Sequence, residues 1–227
     1  MVVGFLLVQL VACEGEVKSE ETAIDSGDVP AEVELDEVQT FAVAWSSGEL
    51  EAPRELGSIM VMYSELPDAL VQVTQRDDGL LDLRFGVAQF GAPSEQDPCV
   101  ATTDVEGASF DNPTFEGSSS TLTVTMPVLG ELKASTEVVL EEVGFSGTFT
   151  DEGFVEGRVT YRLDVAPYGL SLHGGTAGSI CEISAAFGEP CVPCDAGGPT
   201  CLEVVWSGLV GTSVDGASVE ASDGECP

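Results

Sequence analysis

The stretch VGFSGTFTDEGFVEGRVTYRLDV, Val143 to Val165, sets bulky apolar side chains at every second position on both sides of an Asp-Glu-Gly triplet. Val143, Phe145 and Phe149 precede the triplet; Val155, Val159, Tyr161, Leu163 and Val165 follow it on one face. Glu156, Arg158, Thr160, Arg162 and Asp164 stand opposite, so one face is dry and the other wet. A period of two is the mark of half-buried antiparallel strands, and it is incompatible with an amphipathic helix over the same residues. The unit reads as a hairpin with Gly153 in its turn.

The same period recurs along the chain. Phe41, Val43 and Trp45 alternate in FAVAW; Leu81, Leu83, Phe85 and Val87 in LLDLRFGV; Leu122, Val124 and Met126 in TLTVTM; and CLEVVWSGLV supplies a late strand. The segment RDDGLLDLRF repeats the grammar of the long hairpin, Asp77–Phe85 aligning with Asp151–Val159, as two hairpins built on the same rules would. Asp77-Asp78-Gly79 and Asp151-Glu152-Gly153 read as turns, and Glu141-Glu142 as a bulge. Helical signal is confined to Ala177–Phe187, ending at Gly188 and Pro190, with Ile180, Ile183 and Phe187 facing inward. The fold expected is all-β: an antiparallel sandwich or barrel of about 8–10 strands with one short helix, stapled by disulfides.

Charge narrows the function classes. Forty acidic residues against seven basic ones give a net of -33, which excludes a nucleic-acid binder because phosphate contacts need Lys and Arg. With 43% hydrophobic residues the chain can still fill a core.

The first residues, MVVGFLLVQLVAC, form an apolar run too short to span a bilayer and of the length of a signal-peptide core. Leu10-Val11-Ala12-Cys13 resembles the lipobox of bacterial lipoproteins, although no Lys or Arg precedes the run. The resemblance implies cleavage before Cys13, lipidation of its thiol and a membrane anchor. Glu14 in the next position, where Asp is the inner-membrane retention signal, implies the outer membrane of the cell envelope. Residues 1–12 are then a signal peptide, 13–37 an acidic disordered tether, and 38–227 a single β-domain with a Cys-rich C-terminal part.

Seven cysteines are an odd number for an exported chain, and lipidation of Cys13 would leave six for disulfides. Of the fifteen pairings that six cysteines allow, the one expected is Cys181 with Cys191, Cys194 with Cys201, and Cys99 with Cys226. The rival use of CVPCDAGGPTC as a zinc or iron–sulfur site needs free thiolates, which an oxidising envelope disfavours. Redox chemistry would need the C-x-x-C at a helix start, and here it runs into the loop Asp195–Pro199.

Catalytic signals are thin. The single histidine, His173 in LSLHGGTAG, has no G-x-S-x-G partner motif, and the only lysines are Lys18 and Lys133. Carboxylates are too plentiful to mark a glycosidase pair. The function expected is a non-enzymatic structural or interaction module of the envelope, with no cofactor, no metal and an envelope protein as partner. The alternative is a carrier for a lipid or small apolar ligand, its cavity walled by Met60, Met62, Phe85, Phe149, Tyr161 and Trp206.

Overall fold

The structure is a computed structural model that describes residues 32–54, 67–127, 135–171 and 174–224. Its elements in chain order are β1 (Val38–Val43), a 3-10 turn at Trp45–Ser47, β2 (Glu49–Ala52), β3 (Ala69–Gln75), β4 (Leu81–Gln89), β5 (Ala92–Gln96) and β6 (Thr103–Asp111). There follow β7 (Thr114–Pro127), β8 (Ser135–Thr150), β9 (Gly153–Asp164), α1 (Ala166–Ser171), α2 (Ser179–Ala186) and β10 (Cys201–Ser213). Strands β1, β3, β4, β6, β7, β8, β9 and β10 each pair antiparallel with the next, and β10 returns to β1. The result is a closed eight-stranded barrel, with the short β2 added to β10 and the short β5 added to β4.

Of the two architectures the alternation allows, closure selects the barrel. The closing seam pairs Phe41 with Ser213, Ala42 with Thr212 and Val43 with Gly211. Full closure removes the unpaired edges that an open sheet of this size would expose.

Inward positions carry the apolar residues and outward positions the charges. Phe149, 2% exposed, stacks on Phe115 at 4.6 Å between ring centroids and lies 5.6 Å from Phe41 and 5.8 Å from Phe110. Glycines on facing strands make room for these rings: a Cβ at Gly117 would fall 2.3 Å from the Phe145 ring, and one at Gly211 would fall 2.1 Å from that of Phe154. Alternating large and small residues across a narrow barrel fills its taper. Outside, Arg84 and Asp104 face each other across β4 and β6 at 2.6 Å. An apolar lumen with a charged exterior reverses the arrangement of a membrane-spanning barrel, whose outer band is apolar. No described helix is long and apolar enough to cross a membrane.

Two bulges correct the simple alternation. In β9 the left-handed Glu156 (φ 54°) inserts an extra residue, so Phe154 turns into the core and Val155, expected there, is 36% exposed. In β8 the register shifts between Glu141 and Gly144 around Glu142 (φ 49°), as expected for this pair of acids. Leu140 and Val143 both remain inside, and Glu141 is turned to the outer face.

The barrel's ends and one flank are covered by non-strand segments. Beyond β9, α1, α2 and the Cys-rich loop form a cap, with Tyr168, Ile180, Ile183, Cys181 and Cys191 packed against the core. Helix α2 matches the one expected except at its end: Phe187 is its C-cap and is 52% exposed rather than inward. Helix α1 was not expected; the Asp164 carboxylate starts it by accepting the Ala166 N–H at 3.0 Å. Near the β6–β7 turn, Val33 exchanges hydrogen bonds with the Asn112 side chain at 2.9 Å in both directions, and Val33 and Leu35 pack on the core. Val33 and Leu35, within the segment expected as a tether, thus pack with the β-domain. Residues 214–224 run as a strap over the outer face of β1, β3 and β4. The strap buries Val219 in a second apolar cluster with Leu70 and Ala88.

Candidate functional site

The cysteine loop resolves into two staples. Cys181 is bonded to Cys191 and Cys194 to Cys201, the two pairings expected. The C-x-x-C spacing is therefore shared between two disulfides and forms no dithiol of its own. Cys99 is disulfide-bonded as well; its expected partner Cys226 and the expected lipidation site Cys13 lie outside the described residues.

The loop that these staples hold is a lock on the bulge in β8. The outward-turned Glu141 carboxylate, itself buried, accepts the N–H of Asp195 at 2.7 Å and that of Ala196 at 3.2 Å. Its neighbour Glu142 pairs with Arg162, whose guanidinium also reaches Asp195 at 3.2 Å. Glu141, Cys194 and Cys201 bring their ligand atoms within 4.8 Å of one another, the geometry of a small metal site. The donor set does not fit one: both sulfurs are spent in a disulfide, and the carboxylate already accepts two backbone donors.

The residues expected to wall an interior cavity are in the packed core where they are described. Phe85 lies edge-on to Phe145 at 5.5 Å, Trp206 to Trp45 at 5.7 Å, Phe149 belongs to the phenylalanine stack, and Tyr161 is buried beside Leu163 and Val204. Met60, Met62 and His173 lie outside the described residues.

A concave site lined by described residues is found instead on the barrel's outer face. A groove of about 330 Å³ crosses the β1–β10 seam, lined by Ala42 of β1 and Ala44 just after it, and by Val210 and Thr212 of β10 and Val214 just after it. Pro93 and Ser94 of β5 wall it along one side, while Ser47 and Asp68 complete the lining. Three backbone features shape it. The 3-10 turn places the Ser47 hydroxyl to donate to Ala44 O at 2.6 Å and accept from Val210 N–H at 3.0 Å. The Ala88 N–H bonds Asp68 O at 2.9 Å, fixing the start of β3. A Gly91 residue with φ +80° turns the β4–β5 hairpin so that β5 stands beside the seam.

The groove is apolar over most of its wall and carries one ionisable group. Burial raises the Asp68 carboxyl above its ordinary carboxylate value, and no described residue donates a hydrogen bond to it. Every arginine among the described residues, by contrast, already faces a carboxylate. Sequence reasoning passed over this site, because LPDAL and the small residues of β1 and β10 carry no motif and the groove exists only once the seam closes.

Together these features define a disulfide-capped, eight-stranded antiparallel barrel with a filled lumen and an acidic exterior. No known protein family, no characterised protein and no solved structure matches the chain.

Proposed function

We propose that the protein is a non-enzymatic lipoprotein of the cell envelope, anchored at the outer membrane through Cys13 and presenting its barrel as an interaction module. The observation that carries this reading is the filled lumen. Phe41, Phe115, Phe149 and Phe154 occupy the space in which an eight-stranded barrel would hold a ligand, which favours a rigid display scaffold over a container. Two disulfides support residence in an oxidising compartment, and the Leu10-Val11-Ala12-Cys13 motif supports the anchor. A carrier with its ligand in the lumen draws less support, since Phe85, Phe149, Tyr161 and Trp206 pack against the protein's own core.

The test is metabolic labelling in the native host with an alkyne-tagged palmitate, comparing the natural chain with Cys13→Ser. Label and membrane fractionation that both depend on Cys13 are expected. An unlabelled natural chain, or label that survives Cys13→Ser, would sink the anchor.

A further inference from the structure

We propose that the groove across the β1–β10 seam binds a small organic cation, an ammonium group on a short apolar body, with the ammonium against the Asp68 carboxylate. This site stands apart from the reading above, since it requires neither the anchor nor a protein partner.

A volume of about 330 Å³ is at the lower end of small-molecule sites, which span roughly 300–1,000 Å³. Alanine, proline and valine side chains supply most of the wall, so an apolar body gains by leaving water. Four polar side chains interrupt that wall, those of Ser47, Asp68, Ser94 and Thr212. Ser47 is already committed to Ala44 and Val210. Asp68 has no donor among the described residues, so a ligand N–H would complete it rather than compete for it.

Charge then chooses the sign. No Lys or Arg lines the groove, and the arginines elsewhere among the described residues are paired. A net charge of -33 enriches cations around the whole molecule and repels anions from its clefts. A partly desolvated carboxylate also binds an ammonium more strongly than one in open water would, because less hydration screens the pair.

The experiment is a set of two-dimensional amide NMR titrations of the oxidised full chain with three matched probes in about 0.15 M salt, where diffuse surface charge is screened over roughly 8 Å. The probes are 2-phenylethylammonium, 2-phenylethanol and 3-phenylpropanoate. Saturable shifts centred on Ala44, Asp68, Ser94 and Val210 are expected, with the ammonium binding about tenfold tighter than the alcohol and the carboxylate giving none. Asp68→Asn should bring the ammonium down to the affinity of the alcohol, while Asp77→Asn on the exposed β3–β4 turn should change nothing. An unchanged spectrum away from the groove certifies that Asp68→Asn is folded. Shifts scattered over the acidic surface, equal affinity for ammonium and alcohol, or undiminished binding by Asp68→Asn would each overturn the proposal.

Discussion

The Glu141 carboxylate holds the Asp195 N–H at 2.7 Å across a sequence separation of 54 residues, joining the β8 bulge to the disulfide loop over the barrel's end. Around it the loop also closes on itself, with the Cys194 N–H bonded to Gly198 O at 2.8 Å. A buried carboxylate on two backbone donors is a charge-assisted contact in a region shielded from water, so its loss leaves orphaned donors behind.

Glu141→Ala should therefore destabilise the domain by about 2–3 kcal/mol, and Glu141→Gln by less, because an amide oxygen still accepts one of the two bonds. Thermal unfolding followed by circular dichroism measures both. An alanine variant within about 0.5 kcal/mol of the natural chain would show that the lock is not structural.

Removing the staples separately should give unequal results. Chain-entropy bookkeeping assigns the two short loops similar values, about 2.5–3 kcal/mol each. The Cys194–Cys201 pair, however, is buried and positions the two N–H groups that Glu141 accepts. Replacing that pair by serines should cost more than replacing Cys181 and Cys191, and a cycle with Glu141→Ala should be non-additive. Additive losses would separate the staple from the lock. Stepwise partial reduction with alkylation gives an independent check, with Cys181 and Cys191 labelled together and Cys194 and Cys201 labelled together.

Two glycines close in sheet space should fail differently. Gly211→Ala puts a Cβ 2.1 Å from the Phe154 ring, an overpacking worth about 1–3 kcal/mol that Phe154→Leu should partly relieve. At Gly153 a Cβ would meet Gly211 O at 1.9 Å, and a backbone atom cannot rotate away. Gly153→Ala should cost more and gain nothing from Phe154→Leu. Rescue of both, or of neither, in chemical denaturation would contradict this packing.

The Asp68 carboxyl supplies a pH dependence with a defined sign. Burial raises it above its reference value of 3.8, so in this window the folded state binds the proton more tightly than the unfolded state. Stability from this group is thus lost as pH rises from 3.8 through the folded value and is flat above it. At neutral pH Asp68→Asn should be neutral to stabilising, and its advantage should vanish in acid. Carboxyl NMR titration of Asp68 together with unfolding curves of both proteins between mildly acidic and neutral pH tests this. A midpoint at the reference value would abolish this dependence, and one below it would reverse the sign.

Much of this fold was legible in the alternation. Phe41, Val43, Leu81, Leu83, Leu122, Phe145, Phe149, Tyr161 and Leu163 are all inside as their spacing requires. The reading failed where one inserted residue changes the phase. Phe154 replaces Val155 in the core because Glu156 takes a left-handed conformation, and no local pattern separates that bulge from an unbroken strand. It failed again at Phe187, where helical spacing pointed inward but the helix had already ended. Val33 and Leu35, set among acids that read as a tether, pack on the core, with Val33 held by Asn112 from 79 residues away.

By itself the sequence determined an antiparallel β-domain and most of its strand faces. Those properties follow from the period and spacing of apolar residues, which are local quantities. Tertiary structure alone decided that the sheet closes, because the closing pair joins Phe41 to Ser213 across nearly the whole domain. Closure also decided that the lumen is filled by phenylalanines from β1, β7, β8 and β9, and that a groove with Asp68 in its wall opens where the first and last barrel strands meet. A cavity is a property of surfaces brought together, and no single segment of this chain carries it.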